Sequence, residues 1–141
     1  MLVPAVYRTV ELDPKAVVDQ LPGQIKWDQV TPASSQQAVL FGDPTKPGLY
    51  GVLNKWTAGN HFSKPHFHPN DRFITVISRT WWVGSGPTFD PANASVAMPA
   101  GSFVTHYGKQ VHWDSAKDTD AVLLIVGQGP ATATPIVALP K

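Results

Sequence analysis

Short runs rich in apolar, β-branched and aromatic residues recur along this chain from about residue 37, and glycine and proline cut them into short lengths. Such runs predict half-buried strands. Ala38–Phe41 is one, and Leu49–Trp56 follows after Gly42-Asp-Pro-Thr-Lys-Pro-Gly48. A long strand is predicted from Arg72 to Val83, closed by Gly84-Ser-Gly-Pro87. Ser95–Met98, Ser102–His106, Val111–Asp114 and Ala121–Val126 come next, with a last short strand, Pro135–Leu139, in a Gly/Pro/Thr-rich tail. Helical periodicity is confined to residues 13–21. There Asp13-Pro14 reads as an N-cap and first-turn proline ahead of two turns, Lys15 to Leu21, stopped by Pro22-Gly23. Residues 1–12 read as an extended arm, and Ile25-Lys-Trp27 predicts Trp27 packed on the exterior. Many short strands with turn signals between them predict an all-β barrel or sandwich.

Composition narrows the function. With 43% hydrophobic and 15% charged residues in 141, the chain suits one globular domain. The formal net charge is +1 and no Lys/Arg run occurs, so nothing supports a nucleic-acid partner. No apolar run approaches a membrane span. The absence of cysteine excludes disulfides, thiolate metal sites and a cysteine nucleophile. The start, Met-Leu-Val-Pro-Ala-Val-Tyr-Arg, lacks the basic end and apolar run of a signal peptide. A cytoplasmic location is expected, or a periplasmic one if a leader has been removed. Gly42–Gly48 lacks the Gly-Lys-Ser/Thr ending of a phosphate loop and reads as a turn. Glu11 is the one glutamate.

Chemistry concentrates in His61-Phe-Ser-Lys-Pro-His66-Phe-His68-Pro-Asn-Asp71-Arg72. In a strand His66 and His68 share a face and can aim both rings at one point, between the stiffening prolines Pro65 and Pro69. The other two histidines are His106 and His112, on either side of the turn Tyr107-Gly-Lys-Gln110. A hairpin there would bring His106 beside His112 as a fourth ligand or a supporting group. His61 has the wrong parity for the His66/His68 face. Neutral imidazoles suit iron, manganese, nickel, zinc or copper alike, so the metal stays open.

His66-x-His68, a following strand, Pro99-x-Gly101 and His112 together resemble the cupin superfamily. Gly42–Gly48, Pro65–Arg72, Thr75-Val-Ile, Met98–Val104 and Gly127-Gln-Gly-Pro130 extend the resemblance, to small single-domain bacterial cupins. It implies a double-stranded β-helix, or jelly-roll barrel, over residues 37–130. Residues 1–36 would be an arm and short helix packed on it, and 131–141 a tail. It implies a divalent metal held by His66, His68 and His112, with His106 the fourth candidate. The family's glutamate ligand is absent: its position holds Arg72 (or Phe73, with the longer spacing the motif allows), and the motif's later glycine position, at the shorter spacing, holds Arg79. Some cupins manage with three histidines alone, including acetylacetone-cleaving dioxygenases, and this chain resembles that kind more than the glutamate-bearing one.

Arg72 shares parity with His66 and His68, so a regular strand turns it inward. A cation beside a metal then calls for an anion between them, such as a substrate carboxylate or enolate. The plain alternative is a bulge that turns Arg72 outward onto Asp71 or Asp114. One of Trp81 and Trp82 faces in and the other out; inward aromatics among these, Trp113, Phe67, Phe73 and Phe103 would wall a pocket. The outward tryptophan and the arm suggest a covered surface, as in a homodimer. The expectation is a metal-dependent oxygenase acting on a diketone or similar chelating small molecule. The alternatives are a non-redox isomerase or lyase with His106, His61 or Tyr107 as acid/base, a non-catalytic binding cupin, or one that has lost its metal.

Overall fold

Residues 8–30 and 35–136 are described by a computed structural model. Their strands are β1 (Asp28–Val30), β2 (Ser35–Phe41), β3 (Gly48–Trp56), β4 (His66–Phe67), β5 (Arg72–Ser78) and β6 (Thr80–Ser85), then β7 (Val96–Pro99), β8 (Phe103–His106), β9 (His112–Ser115), β10 (Ala121–Gly129) and β11 (Thr134–Pro135). They build two sheets, in the orders β1-β2-β3-β10-β5-β8 and β11-β4-β9-β6-β7, every pairing antiparallel. The all-β expectation holds. Among these residues no helix is long and apolar enough to cross a membrane.

The long strand expected over Arg72–Val83 is two strands in different sheets. Arg79, between β5 and β6, has φ 60°. A left-handed residue turns the chain, and here it carries the chain from one sheet to the other. No glycine or proline marks the spot, so the sequence reads straight through it as one strand.

The helix expected over Lys15–Leu21 does not form. Asp13 caps one turn: its Oδ1 accepts from Lys15 N–H at 2.9 Å, and its carbonyl from Ala16 and Val17 N–H. The turn goes no further because residues 13–20 are exposed, Val18 at 83%. A helix this short needs a buried face to stabilise it. The only helical geometry among the described residues is a 3-10 turn, Pro22–Gln24, begun by the proline expected to be a stop. Trp27 does pack on the exterior, beneath Lys55 Nζ at 4.8 Å. The arm's first seven residues, and residues 137–139 of the expected tail strand, lie outside the described part.

The core fills the space between the sheets. Tyr50, Val52 and Trp56 come from β3, Ile74 and Val76 from β5, Leu123 and Ile125 from β10, and Trp81 from β6. Each such side chain contributes about 1.5–3 kcal/mol by leaving water. Trp81 faces in and is fully buried, whereas Trp82 faces out under Lys117 Nζ at 3.9 Å. Trp113 is outward on β9 yet has no exposure: Phe62 and Phe89 close over it edge-on. Gly84 opposite leaves it room, since a Cβ there would lie 2.1 Å from the ring. Phe73 and Phe103 face outward on the larger sheet, away from the histidines, where Phe73 lines an outer cleft with Leu49 and Asp71.

Candidate metal centre

His66, His68 and His112 converge between the sheets. Their ligand nitrogens lie within 4.8 Å of one another. β4 pairs with β9 so that His66 is directly opposite His112. His68 and His112 are buried, and His66 is half-buried.

Backbone carbonyls orient each ring. His66 Nδ1 lies 2.7 Å from the Lys64 carbonyl, and His68 Nδ1 lies 3.2 Å from those of both Ala131 and Thr132. His112 hydrogen-bonds to the Gln110 backbone, while its Nε2 is buried with no partner. A carbonyl can only accept, so each engaged nitrogen carries the proton and the other keeps its lone pair. This is how metal-binding histidines are held. Burial lowers the His112 pKa to about 4 against a raising effect of Asp114. Burial, with the Arg72 charge next, drives His68 still lower. Near neutral pH these two rings are therefore neutral and able to ligate, and the donor set fits a divalent ion with open positions.

The residues 131–135, expected to be a tail beyond the barrel, are part of this centre. They orient His68 and continue into β11, which pairs Pro135 with His66.

His106 lies close to His112 but by a different route from the expected hairpin. β8 pairs with β5 in the larger sheet, whereas β9 belongs to the smaller one. The turn between them crosses from sheet to sheet, and the two rings stack face to face at 3.6 Å. His106 is not in the group of converging ligand atoms, and neither of its nitrogens has a partner. Tyr107, at 65% exposure, points to solvent. His61 is exposed and lines a separate cleft with Phe89 and Lys117.

Arg72 keeps its inward parity, with Ile74 and Val76 following it on the same face of β5. Its Nη1 donates to His68 Nε2 at 2.6 Å, and its Nε is buried without a partner. Among the described residues it forms no ion pair. Asp71 is turned away, accepting from Gly108 N–H at 2.8 Å. Asp114 is buried and engaged at both oxygens, by Ser63 Oγ at 2.7 Å and Trp81 Nε1 at 3.1 Å.

One residue the sequence reading missed is Tyr50. Tyr50, Gly127, Arg72 and His106 stand directly opposite one another across β3, β10, β5 and β8. Tyr50 leans over Gly127, where a Cβ would meet its hydroxyl at 3.1 Å, and that hydroxyl is buried without a partner. An inward-parity glycine inside a strand was the available signal. A cavity of about 490 Å³ opens beside the histidines, walled by Trp56, Phe62, Ile74, Trp81 and Ile125, with Arg72 and Asp114 among its polar groups. That is small-molecule size.

No family model matches this sequence, and no curated protein does. Solved structures do. The polyketide cyclase RemF from Streptomyces resistomycificus is 12% identical at TM-score 0.71, with 87% of each chain covered. A cupin-2 domain from Rhodospirillum rubrum is 15% identical at TM-score 0.64, covering 86% of this chain and 80% of that one. The DMSP lyase DddQ from Ruegeria pomeroyi is 13% identical at TM-score 0.62, covering 79% and 60%. This chain has the cupin fold.

Proposed function

We propose that this cupin-fold protein is a metal-dependent enzyme acting on a small substrate with a chelating, anionic oxygen group. The observation that carries the reading is the convergence of His66, His68 and His112, each ring oriented by a backbone carbonyl. A divalent transition metal (iron, manganese, nickel or zinc) would supply Lewis acidity toward the substrate's oxygens. Arg72 accepts the substrate's negative charge through a planar fork of donors. Trp56, Phe62, Ile74, Trp81 and Ile125 hold its apolar body and exclude water.

In its finer form the reading is an oxygenase of a diketone or similar chelating compound, with Arg72 stabilising the enolate that meets dioxygen. A second reading, a lyase, isomerase or cyclase, is favoured by the buried Tyr50 hydroxyl, which stands over Gly127, the residue paired with Arg72, and can hold or deliver a proton. The names of two structural neighbours, a polyketide cyclase and a DMSP lyase, lie on that side. Oxygen uptake by iron-loaded protein with acetylacetone decides: stoichiometric consumption supports the oxygenase, and turnover without it supports the second reading. A homodimeric state completes the proposal, and sedimentation equilibrium at micromolar concentration tests it.

A further inference from the structure

We infer that Arg72 makes this a composite site, one that binds a divalent ion and a carboxylate together and either alone less well. The inference rests on the metal-site reading above and goes beyond it.

His68 commits Nδ1 to the carbonyls of Ala131 and Thr132, so Nε2 carries its only lone pair. Arg72 Nη1 donates into that lone pair at 2.6 Å. A lone pair cannot serve a guanidinium N–H and a metal ion at once, so ion binding has to break the contact. Arg72 cannot lose its proton, and it cannot go far. Its backbone is fixed on both sides by β10 and β8, opposite Gly127 and His106. Asp71 is turned to Gly108, and Asp114, the carboxylate on the same cavity, already accepts from Ser63 and Trp81 and forms no ion pair with Arg72. A displaced Arg72 therefore stays within a few ångströms of the ion, where burial weakens screening and the two positive charges repel.

A carboxylate relieves both problems. One oxygen faces the ion, and both accept from the guanidinium fork, including the partnerless Nε. The apolar walls of the cavity fix the rest of the ligand class: a monocarboxylate on an aromatic or branched apolar body. Coupling of this kind is reciprocal, so each partner tightens the other by the same factor.

The test is calorimetric and needs no turnover. Untagged, chelator-treated full chain is titrated with nickel at constant ionic strength, alone, with saturating benzoate, and with benzyl alcohol as the uncharged counterpart. Nickel affinity is expected to rise about tenfold or more with benzoate and to stay unchanged with benzyl alcohol; typical couplings run about 5–150-fold. Benzoate affinity should rise by the same factor when nickel is present. Arg72→Gln should bind nickel more tightly than wild type without benzoate, and its benzoate effect should fall below about twofold. Arg72→Lys keeps the charge but not the fork and should retain only part of the coupling. Melting curves of both variants confirm folding. Coupling below about twofold in wild type, or undiminished coupling in a folded Arg72→Gln, overturns the inference and leaves the metal site standing. No nickel binding by the wild type overturns the metal-site reading itself.

Discussion

His68 Nδ1 meets the Ala131 carbonyl at 3.2 Å, joining the histidine loop to a segment more than sixty residues later in the chain. That contact, with its twin to Thr132, holds the ring's lone pair toward the centre. Removing residues 131–141 should therefore weaken metal binding while leaving all three histidines in place. The expected loss is about 10–100-fold in nickel affinity, the usual cost of losing a ligand's orienting partner. Titration of the truncated chain checks it, and an unchanged affinity would show that the 131–135 segment is incidental.

Arg79 occupies a left-handed conformation, φ 60°, where the chain crosses from β5 to β6. A non-glycine residue there costs about 1–2 kcal/mol, and glycine gives back part of the gain in unfolded-chain entropy. Arg79→Gly should be neutral to stabilising by about 1 kcal/mol, read from the urea midpoint. Clear destabilisation would mean that Arg79's side chain matters more than its backbone.

Burial pushes His68 and His106 far below the ordinary histidine value and His112 to about 4. Between the unfolded value of about 6.5 and these folded values, the unfolded chain binds protons that the folded chain refuses. Stability is then fully present above about pH 6.5 and falls as the pH drops toward 4, by at most about 1.4 kcal/mol per pH unit for each histidine. Urea denaturation of chelator-treated protein at pH 7.5 and pH 5 should give a lower midpoint at pH 5, and His106→Phe should lessen the difference. Equal midpoints would contradict the buried, neutral state of these rings.

Much of this molecule is readable from its residues because strands announce themselves by parity. Leu49–Trp56 and Ala121–Val126 are apolar runs of strand length that become β3 and β10, and strand parity put Arg72 inward and separated Trp81 from Trp82. His66, His68 and His112 stand out because imidazole at that spacing has few other uses. What was hidden depends on relations between distant segments. The break at Arg79 carries no turn residue. Tyr50 joins the row with Arg72 and His106 only through the registers of β3, β10, β5 and β8. The expected helix had the right cap at Asp13 but no partner surface, which no local pattern reports.

Metal binding by His66, His68 and His112 underlies every functional reading of this site. It is tested most directly by elemental analysis of untagged protein alongside His66→Ala and His112→Ala. About one equivalent of a transition metal per wild-type chain is expected, and less than about a tenth of one in either variant. Less than about a tenth of an equivalent in the wild type, even after incubation with iron, nickel or zinc, would contradict it.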